Sequence, residues 1–121
     1  MALILAIDDA RTMRELVRTI LESEGHTVLT ADDGITGLEL ANEHSADLVI
    51  TDLHMDEMDG ITMTSKLRQM SDYKTTPVLL LTTEQSADKK AEGRTAGASG
   101  WLTKPFNPPR LVKAVNKLLD S

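Results

Sequence analysis

Five short apolar runs, separated by segments with helical periodicity, constrain the fold of this chain more than any other feature. The runs cover Leu3–Ile7, Thr27–Ala31, residues 48–51, Val78–Thr82 and Gly100–Thr103. The first, third and fourth are almost continuous in leucine, isoleucine and valine, which is typical of strands buried on both faces of a parallel sheet. Strand and helix patterns alternate five times, which predicts an α/β fold with a doubly wound, five-stranded parallel sheet and five helices.

The segment after the first strand carries an apolar stripe. The stripe consists of Met13, Leu16, Val17, Ile20 and Leu21. Its spacing of three and four residues predicts an amphipathic helix. Thr12 and Glu15 have the spacing of a capping box at the start of this helix, although a start one turn earlier also agrees with the sequence.

Three further helices are predicted from different signals. The second spans residues 35–44 and is less clearly striped. The third has an apolar face formed by Met63, Leu67 and Met70. In the fifth, Asn107 is suited to the N-cap and Pro108 to the first helical position. Phe106 can pack onto Leu111 at the same end.

The fourth helix, predicted within residues 86–96, lacks any large apolar side chain. Gly93 lowers its helix propensity further, and Gly97 follows it. Two interpretations remain open from the sequence. The helix is either weakly anchored and mobile, or a small-residue helix that packs closely on its neighbour.

Charged and hydroxyl side chains occur where four of the five strands end. They are Asp8 and Asp9 after the first strand, Asp52 after the third, Thr82 at the fourth and Lys104 after the fifth. In a parallel sheet these ends share one edge, where ligands bind. Clustered carboxylates favour a hard divalent cation such as Mg²⁺. A nucleophilic carboxylate beside Mg²⁺, a lysine and a hydroxyl predicts an aspartyl-phosphate site.

Each of these residues has a simpler explanation when it is taken alone. An acidic residue after a strand often caps the next helix, a threonine suits a strand end, and a loop lysine is usually solvated. Their joint occurrence at four strand ends favours the phosphoacceptor interpretation.

Composition excludes several other classes of protein. The net charge of −6 opposes sequence-independent binding to nucleic acid, and the absence of cysteine excludes thiolate metal sites and disulfides. No apolar run reaches the roughly 18 residues of a membrane span, and the first residues lack the basic charge of a signal peptide. We expect residues 1–121 to form one cytoplasmic domain without an output domain, and neither nucleic acid nor membrane as partner.

Several motifs span the chain. They are residues 8–14 (DDARTMR), residues 50–52 (ITD), residues 58–60 (MDG), residues 81–84 (LTTE), residues 96–101 (AGASGW) and residues 104–106 (KPF). With these motifs the chain resembles the receiver domains of two-component response regulators, and among them the single-domain, CheY-like chemotaxis regulators. The resemblance implies the flavodoxin-like strand order 2-1-3-4-5, for which CheY itself is a standard example.

The resemblance assigns roles around the acidic cluster. Asp52 corresponds to the phosphorylated aspartate. Asp9 corresponds to a direct Mg²⁺ ligand, and Asp8 to a ligand that acts largely through water. The backbone carbonyl of His54 would complete the metal site.

The resemblance also implies a two-state switch. Thr82 corresponds to the hydroxyl that moves onto the phosphoryl group, and Lys104 to the partner of first the carboxylate and then the phosphate. Trp101 would then rotate inward and remodel the surface of the fourth helix, fifth strand and fifth helix, unless it is a plain edge-strand aromatic. Pro105 would follow a cis peptide bond.

Two features concern the tuning of the phosphoacceptor site, the first of them in the loop after the third strand. Asp56 stands where the family usually has proline, so we expect a less rigid loop, an extra negative charge near the metal, and a changed Mg²⁺ requirement in Asp56→Pro. The resemblance implies that His54 and Glu84 tune the phosphoryl lifetime, in a direction that the sequence leaves open.

The resulting expectation is a monomeric, phosphorylation-controlled binding module that is not a turnover enzyme. It would receive its phosphoryl group from a CheA-like histidine kinase and contact a flagellar motor switch protein, or act as a phosphate sink. A haloacid-dehalogenase-type phosphatase needs a second aspartate at the position of His54. A flavodoxin-like FMN site would be repelled by Asp8 and Asp9.

Overall fold

The computed structural model describes residues 1–120. The strands are β1 (Leu3–Ile7), β2 (Thr27–Ala31), β3 (Leu48–Asp52), β4 (Val78–Thr82) and β5 (Gly100–Thr103). The helices are α1 (Arg11–Ser23), α2 (Gly34–Glu43), α3 (Gly60–Arg68), α4 (Ala87–Ala96) and α5 (Pro108–Leu119), and a short 3-10 helix lies at Ser71–Tyr73. No helix within residues 1–120 is long and apolar enough to cross a membrane.

The five strands form one parallel sheet in the order β2-β1-β3-β4-β5, which confirms the predicted class and strand order. The register places Asp52 opposite Leu81, and Thr82 opposite Thr103. The carboxyl ends of β3, β4 and β5 therefore lie side by side, and β1 joins them through its pairing with β3.

The core consists of two apolar layers, one on each face of the sheet. Successive residues of β1 enter opposite layers: Ile4 packs with α1 and α5, and Leu5 packs with α2 and α3. Strands β3 and β4 are buried along their whole length, because helices cover both of their faces. This agrees with the apolar runs from which they were predicted.

The first helix differs from its prediction at one end and on one side. It begins at Arg11 with Ala10 at the N-cap, so Thr12 does not cap it, and no side chain does so. Asp8 instead accepts a hydrogen bond from the Ala10 amide at 2.8 Å. Leu16 is 41% exposed, because the predicted stripe is wider than the surface that the sheet and α5 cover.

The helices α3 and α5 are close to their predictions. α3 ends at Arg68, and Met70 leads into the 3-10 helix while packing against the same apolar layer. At α5, Asn107 accepts a hydrogen bond from the Arg110 amide, and Pro108 is the first helical residue.

The weak anchoring and the close packing that the two interpretations of α4 predict both occur in the structure, whereas its mobility stays a prediction. Gly93 is the one buried residue of this helix. A Cβ added to Gly93 would lie 3.0 Å from Leu80 Cδ1 and 3.4 Å from the Trp101 ring. The helix therefore touches the sheet closely, as a small-residue helix does, but over a small area.

Candidate functional site

Three carboxylates meet at the carboxyl edge of β1 and β3. Oxygen atoms of Asp8, Asp9 and Asp52 lie within 4.8 Å of one another. Asp8 and Asp52 are buried and Asp9 is exposed, so the cluster opens to solvent on one side. An all-oxygen donor set that is open to water fits Mg²⁺, which binds through few carboxylates and keeps several waters.

The backbone of His54 lies at the same edge, two residues after Asp52. Its carbonyl accepts no hydrogen bond from residues 1–120. This oxygen is available as the further ligand that the resemblance implies.

Lys104 is the cation of the site. Its Nζ lies 2.7 Å from Asp52 Oδ1 and 3.4 Å from Asp8 Oδ2. The Lys104 amide also donates to the Thr82 carbonyl at 2.8 Å, which ties the β5 loop to the end of β4. The peptide between Lys104 and Pro105 is cis, as predicted.

The site holds more negative charge than its lysine neutralises. Burial raises the pKa of Asp52, and the charges of Asp8 and Asp9 raise it further, against the hydrogen bond from Lys104. For Lys104, burial lowers the pKa, but the hydrogen bond and charge of Asp52, with the charge of Asp8, outweigh this and raise it overall. Burial together with the neighbouring carboxylates explains the raised pKa of Asp52, and the carboxylates explain the raised pKa of Lys104. The surplus of negative charge favours binding of a further cation.

Thr82 and Trp101 are joined through the backbone of one residue. Thr82 is buried, and its Oγ1 accepts a hydrogen bond from the Glu84 amide at 2.9 Å. Trp101 Nε1 donates to the Glu84 carbonyl at 3.2 Å. Trp101 also packs against Gly93 of α4, and Lys90 Nζ lies 6.0 Å from its ring centroid. These contacts connect Trp101 to Glu84 and to α4, and its role as a switch residue stays a prediction.

The two predicted tuning residues face each other across the rim. His54 Nε2 and Glu84 Oε2 are 3.8 Å apart, and their side chains are 58% and 30% exposed. Asp56 is exposed in the neighbouring loop. There the Met58 amide donates to the Asp56 carbonyl at 2.7 Å across Glu57, which has a φ of +67°. The loop therefore closes in a tight three-residue turn, which is strained for a residue with a side chain.

Two residues that sequence reasoning left without a role shape the site. A Cβ on Gly60 would collide with the Asp52 carbonyl oxygen, so only glycine lets α3 begin this close to β3. Arg14 donates to the Asp8 carbonyl at 2.8 Å and holds the loop after β1. The MDG motif signalled Gly60, whereas nothing in the spacing indicated the contact of Arg14.

A lysine-paired acidic cluster at the carboxyl edge of a 2-1-3-4-5 sheet is the arrangement of an aspartate-based receiver. The family model described as "Response regulator receiver domain" matches residues 4–116, and the chain belongs to this family.

Similar proteins cover almost the whole chain. Chemotaxis protein CheY4 of Vibrio cholerae, a solved structure, is 43% identical with a TM-score of 0.95, and the match covers 98% of each chain. Protein PilH of Pseudomonas aeruginosa is 34% identical over 98% of both chains. Chemotaxis protein CheY-3 of Vibrio cholerae is 34% identical over 97% of this chain and 91% of its own. The chain is thus similar to CheY-type receivers in sequence and structure.

Proposed function

We propose that this domain accepts a phosphoryl group on Asp52 from a histidine kinase, in a Mg²⁺-dependent reaction, and uses it to switch a protein-binding surface. The observation that carries the proposal is the position of Asp52. It is buried among two further carboxylates and held by Lys104 at 2.7 Å. An aspartate that served only to stabilise the fold would not need two further carboxylates beside it.

The contacts of Asp52 distinguish its two oxygens. Lys104 holds Oδ1, and no donor in residues 1–120 contacts Oδ2. Oδ2 is therefore the oxygen that is left for the metal or for attack on phosphorus. The new O–P bond replaces the P–N bond of a phosphohistidine, and the imidazole nitrogen keeps the electron pair of the broken bond.

The metal-binding residues would be Asp8, Asp9, Asp52 and the carbonyl of His54. Mg²⁺ supplies charge that neutralises the phosphoryl oxygens when it is bound. The chain's own part is to hold the carboxylate through Lys104, and to offer the Thr82 hydroxyl from the next strand end.

Phosphorylation converts the Asp52 carboxylate into a group of about −2 charge with three strong acceptor oxygens. Lys104 and Thr82 turn toward these acceptors. When the Thr82 hydroxyl turns, the Glu84 amide loses the acceptor that it has at 2.9 Å. Glu84 also holds Trp101, so the change passes into the start of α4 and into β5. The surface of α4, β5 and α5 is the one that a partner would read.

The partners follow from similarity to two proteins named for chemotaxis. The proposed donor is a CheA-like histidine kinase, and the proposed target is a flagellar motor switch protein. In this proposal the domain acts as a cytoplasmic monomer, and it carries out only its own phosphorylation and dephosphorylation. A phosphate-sink role uses the same site but binds no motor protein.

Intact-mass spectrometry after treatment with acetyl phosphate or phosphoramidate tests the proposal. We expect one phosphoryl adduct that requires Mg²⁺ and is absent in Asp52→Asn. Glu39→Gln is the matched control, because it removes an exposed acid far from the site in sequence. A wild-type protein without an adduct, or an adduct that persists in Asp52→Asn, would contradict the proposal. The decay rate then bears on the choice between signal carrier and sink.

A further inference from the structure

The two ends of α4 are held very differently. At its C-terminal end, the Gly97 carbonyl accepts hydrogen bonds from Arg68 Nη2 at 2.8 Å and Nε at 3.2 Å. Two residues on, the Ser99 amide donates to the Val78 carbonyl, and Ser99 Oγ accepts from the Val78 amide. At the N-terminal end, residues 85–88 are exposed. One end is therefore bonded to α3 and β4, and the other is largely free of the sheet.

Arg68 is itself immobilised by the structure behind it. Its Nη1 donates to the Tyr73 carbonyl at 2.7 Å. Tyr73 is buried, and its hydroxyl lies 2.7 Å from the Ala41 carbonyl and 2.6 Å from the His44 carbonyl. Arg68 therefore links the end of α4 to a fixed point near the end of α2.

The charge of Arg68 has no carboxylate partner within residues 1–120. Burial lowers the pKa of this guanidinium. Its donors point instead at backbone carbonyls, including the carbonyl at the C-terminal end of α4, where the helix dipole favours a positive charge. The charge of Arg68 thus stabilises the C-terminal end of α4 instead of forming an ion pair.

Gly97 fits this arrangement in two ways. Its φ is +109°, in the left-handed region that glycine adopts most easily. A Cβ at this position would lie 2.9 Å from both Cγ and Nε of Arg68. The arginine side chain therefore lies directly against the glycine. A lysine would bring one ammonium in place of the planar fork that makes two bonds to Gly97 and one to Tyr73.

We propose that Arg68 is a positioning residue of the switch, which fixes the C-terminal end of α4 so that only its N-terminal end follows Glu84. The helix then tilts about Gly97 when the Glu84 backbone is released. This inference rests on the proposed function for the source of the movement, but the fixed end is a property of the unphosphorylated protein.

Residue-resolved amide hydrogen exchange tests the fixed end without phosphorylation. The variants are Arg68→Met, which removes the donors, Arg68→Lys, which keeps the charge, and Lys66→Met, which removes an exposed cation from the same helix. We expect exchange at Gly97 and Ala98 to become at least about tenfold faster in Arg68→Met, to change less in Arg68→Lys, and to stay at the wild-type rate in Lys66→Met. Wild-type rates in Arg68→Met and Arg68→Lys would overturn the proposal. If Arg68→Met does not fold, the exchange rates of Arg68→Lys are compared with those of the wild type instead.

A second arm repeats the measurement on protein phosphorylated with acetyl phosphate and Mg²⁺. In the wild type, we expect exchange to change over residues 84–92 but not at Gly97 and Ala98. In Arg68→Met the change spreads to the end of the helix. A uniform change along α4 in the wild type would contradict the proposal. Absence of an adduct would reject the proposed function instead, and the first arm would still decide whether Arg68 holds the helix.

Discussion

The amino and carboxyl edges of the sheet differ in how their polar side chains are paired. At the amino edge, polar side chains pair with backbone groups: Asp47 accepts from the Leu3 amide at 2.8 Å, and its own amide donates to the Leu3 carbonyl at 2.8 Å. His26 Nδ1 likewise accepts from the Ala2 amide. At the carboxyl edge, three carboxylates share one lysine. The amino edge is arranged for stability, and the carboxyl edge keeps an unbalanced charge that a metal and a phosphoryl group can use.

The largest expected effect lies at the amino edge. Tyr73→Phe removes a hydroxyl that contacts the Ala41 and His44 carbonyls and accepts from the Ala46 amide at 3.1 Å. Loss of these buried partners should lower the free energy of unfolding by about 2 kcal/mol, as measured by urea denaturation. The yield of phosphoryl adduct in the folded variant should equal that of the wild type. If Tyr73→Phe folds but gives a different yield of phosphoryl adduct, the amino edge does affect the chemistry of the carboxyl edge.

Metal binding tests the carboxyl edge directly. Mg²⁺ at tenfold excess over its dissociation constant should stabilise the wild type by about 1.4 kcal/mol, since it binds the folded state alone. The same increment should appear in Tyr73→Phe and disappear in Asp52→Asn. Thermal unfolding with and without Mg²⁺ measures it, with Ca²⁺-free buffer and Glu39→Gln as the control. A full increment in Asp52→Asn would show that the metal binds elsewhere.

Removal of a carboxylate should have the opposite sign to the loss of the tyrosine hydroxyl. The pKa of Asp52 is raised in the folded protein, by burial first and then by Asp8 and Asp9. A raised carboxyl pKa favours folding below the unfolded value near about 4, and this contribution is lost as pH rises through the folded pKa. At pH 7 and without Mg²⁺, Asp52→Asn should therefore be more stable than the wild type, on the order of 1 kcal/mol.

The same difference should close as the pH falls through the raised pKa of Asp52 toward 4. Lys104 does not titrate in this window, because its pKa is raised from an already high value. Urea midpoints of wild type and Asp52→Asn at several pH values measure the effect. A less stable Asp52→Asn at pH 7 would mean that the pair with Lys104 outweighs the repulsion among the acids.

The sequence predicts the carboxyl edge better than it predicts the contacts of Tyr73 and Arg68, for a physical reason. Asp8, Asp52 and Lys104 could be brought together because each lies at or directly after the end of a strand, and parallel strands end at one edge. Tyr73 and Arg68 act through carbonyls 29 to 32 residues away, at Gly97, His44 and Ala41. Such contacts depend on how loops pack and leave no periodic pattern. Tertiary contacts also decide that Leu16 of the predicted stripe is exposed, and that α1 begins before Thr12, so that the capping-box alternative is not used.

The smallest expected effect concerns Asp56, which adds charge beside the acidic edge without joining the cluster. Asp56→Pro removes the charge and fixes one backbone angle, whereas Asp56→Asn removes the charge alone. We expect both to raise the Mg²⁺ concentration needed for half-maximal phosphorylation, because the lost negative charge attracted the cation, but only by about twofold, because exposed charges are screened over about 10 Å. A further change in Asp56→Pro alone would assign the remainder to the tight turn across Glu57, whose φ of +67° already restricts the loop. Identical magnesium titrations for the wild type and both variants would show that Asp56 does not affect Mg²⁺ binding at the carboxyl edge.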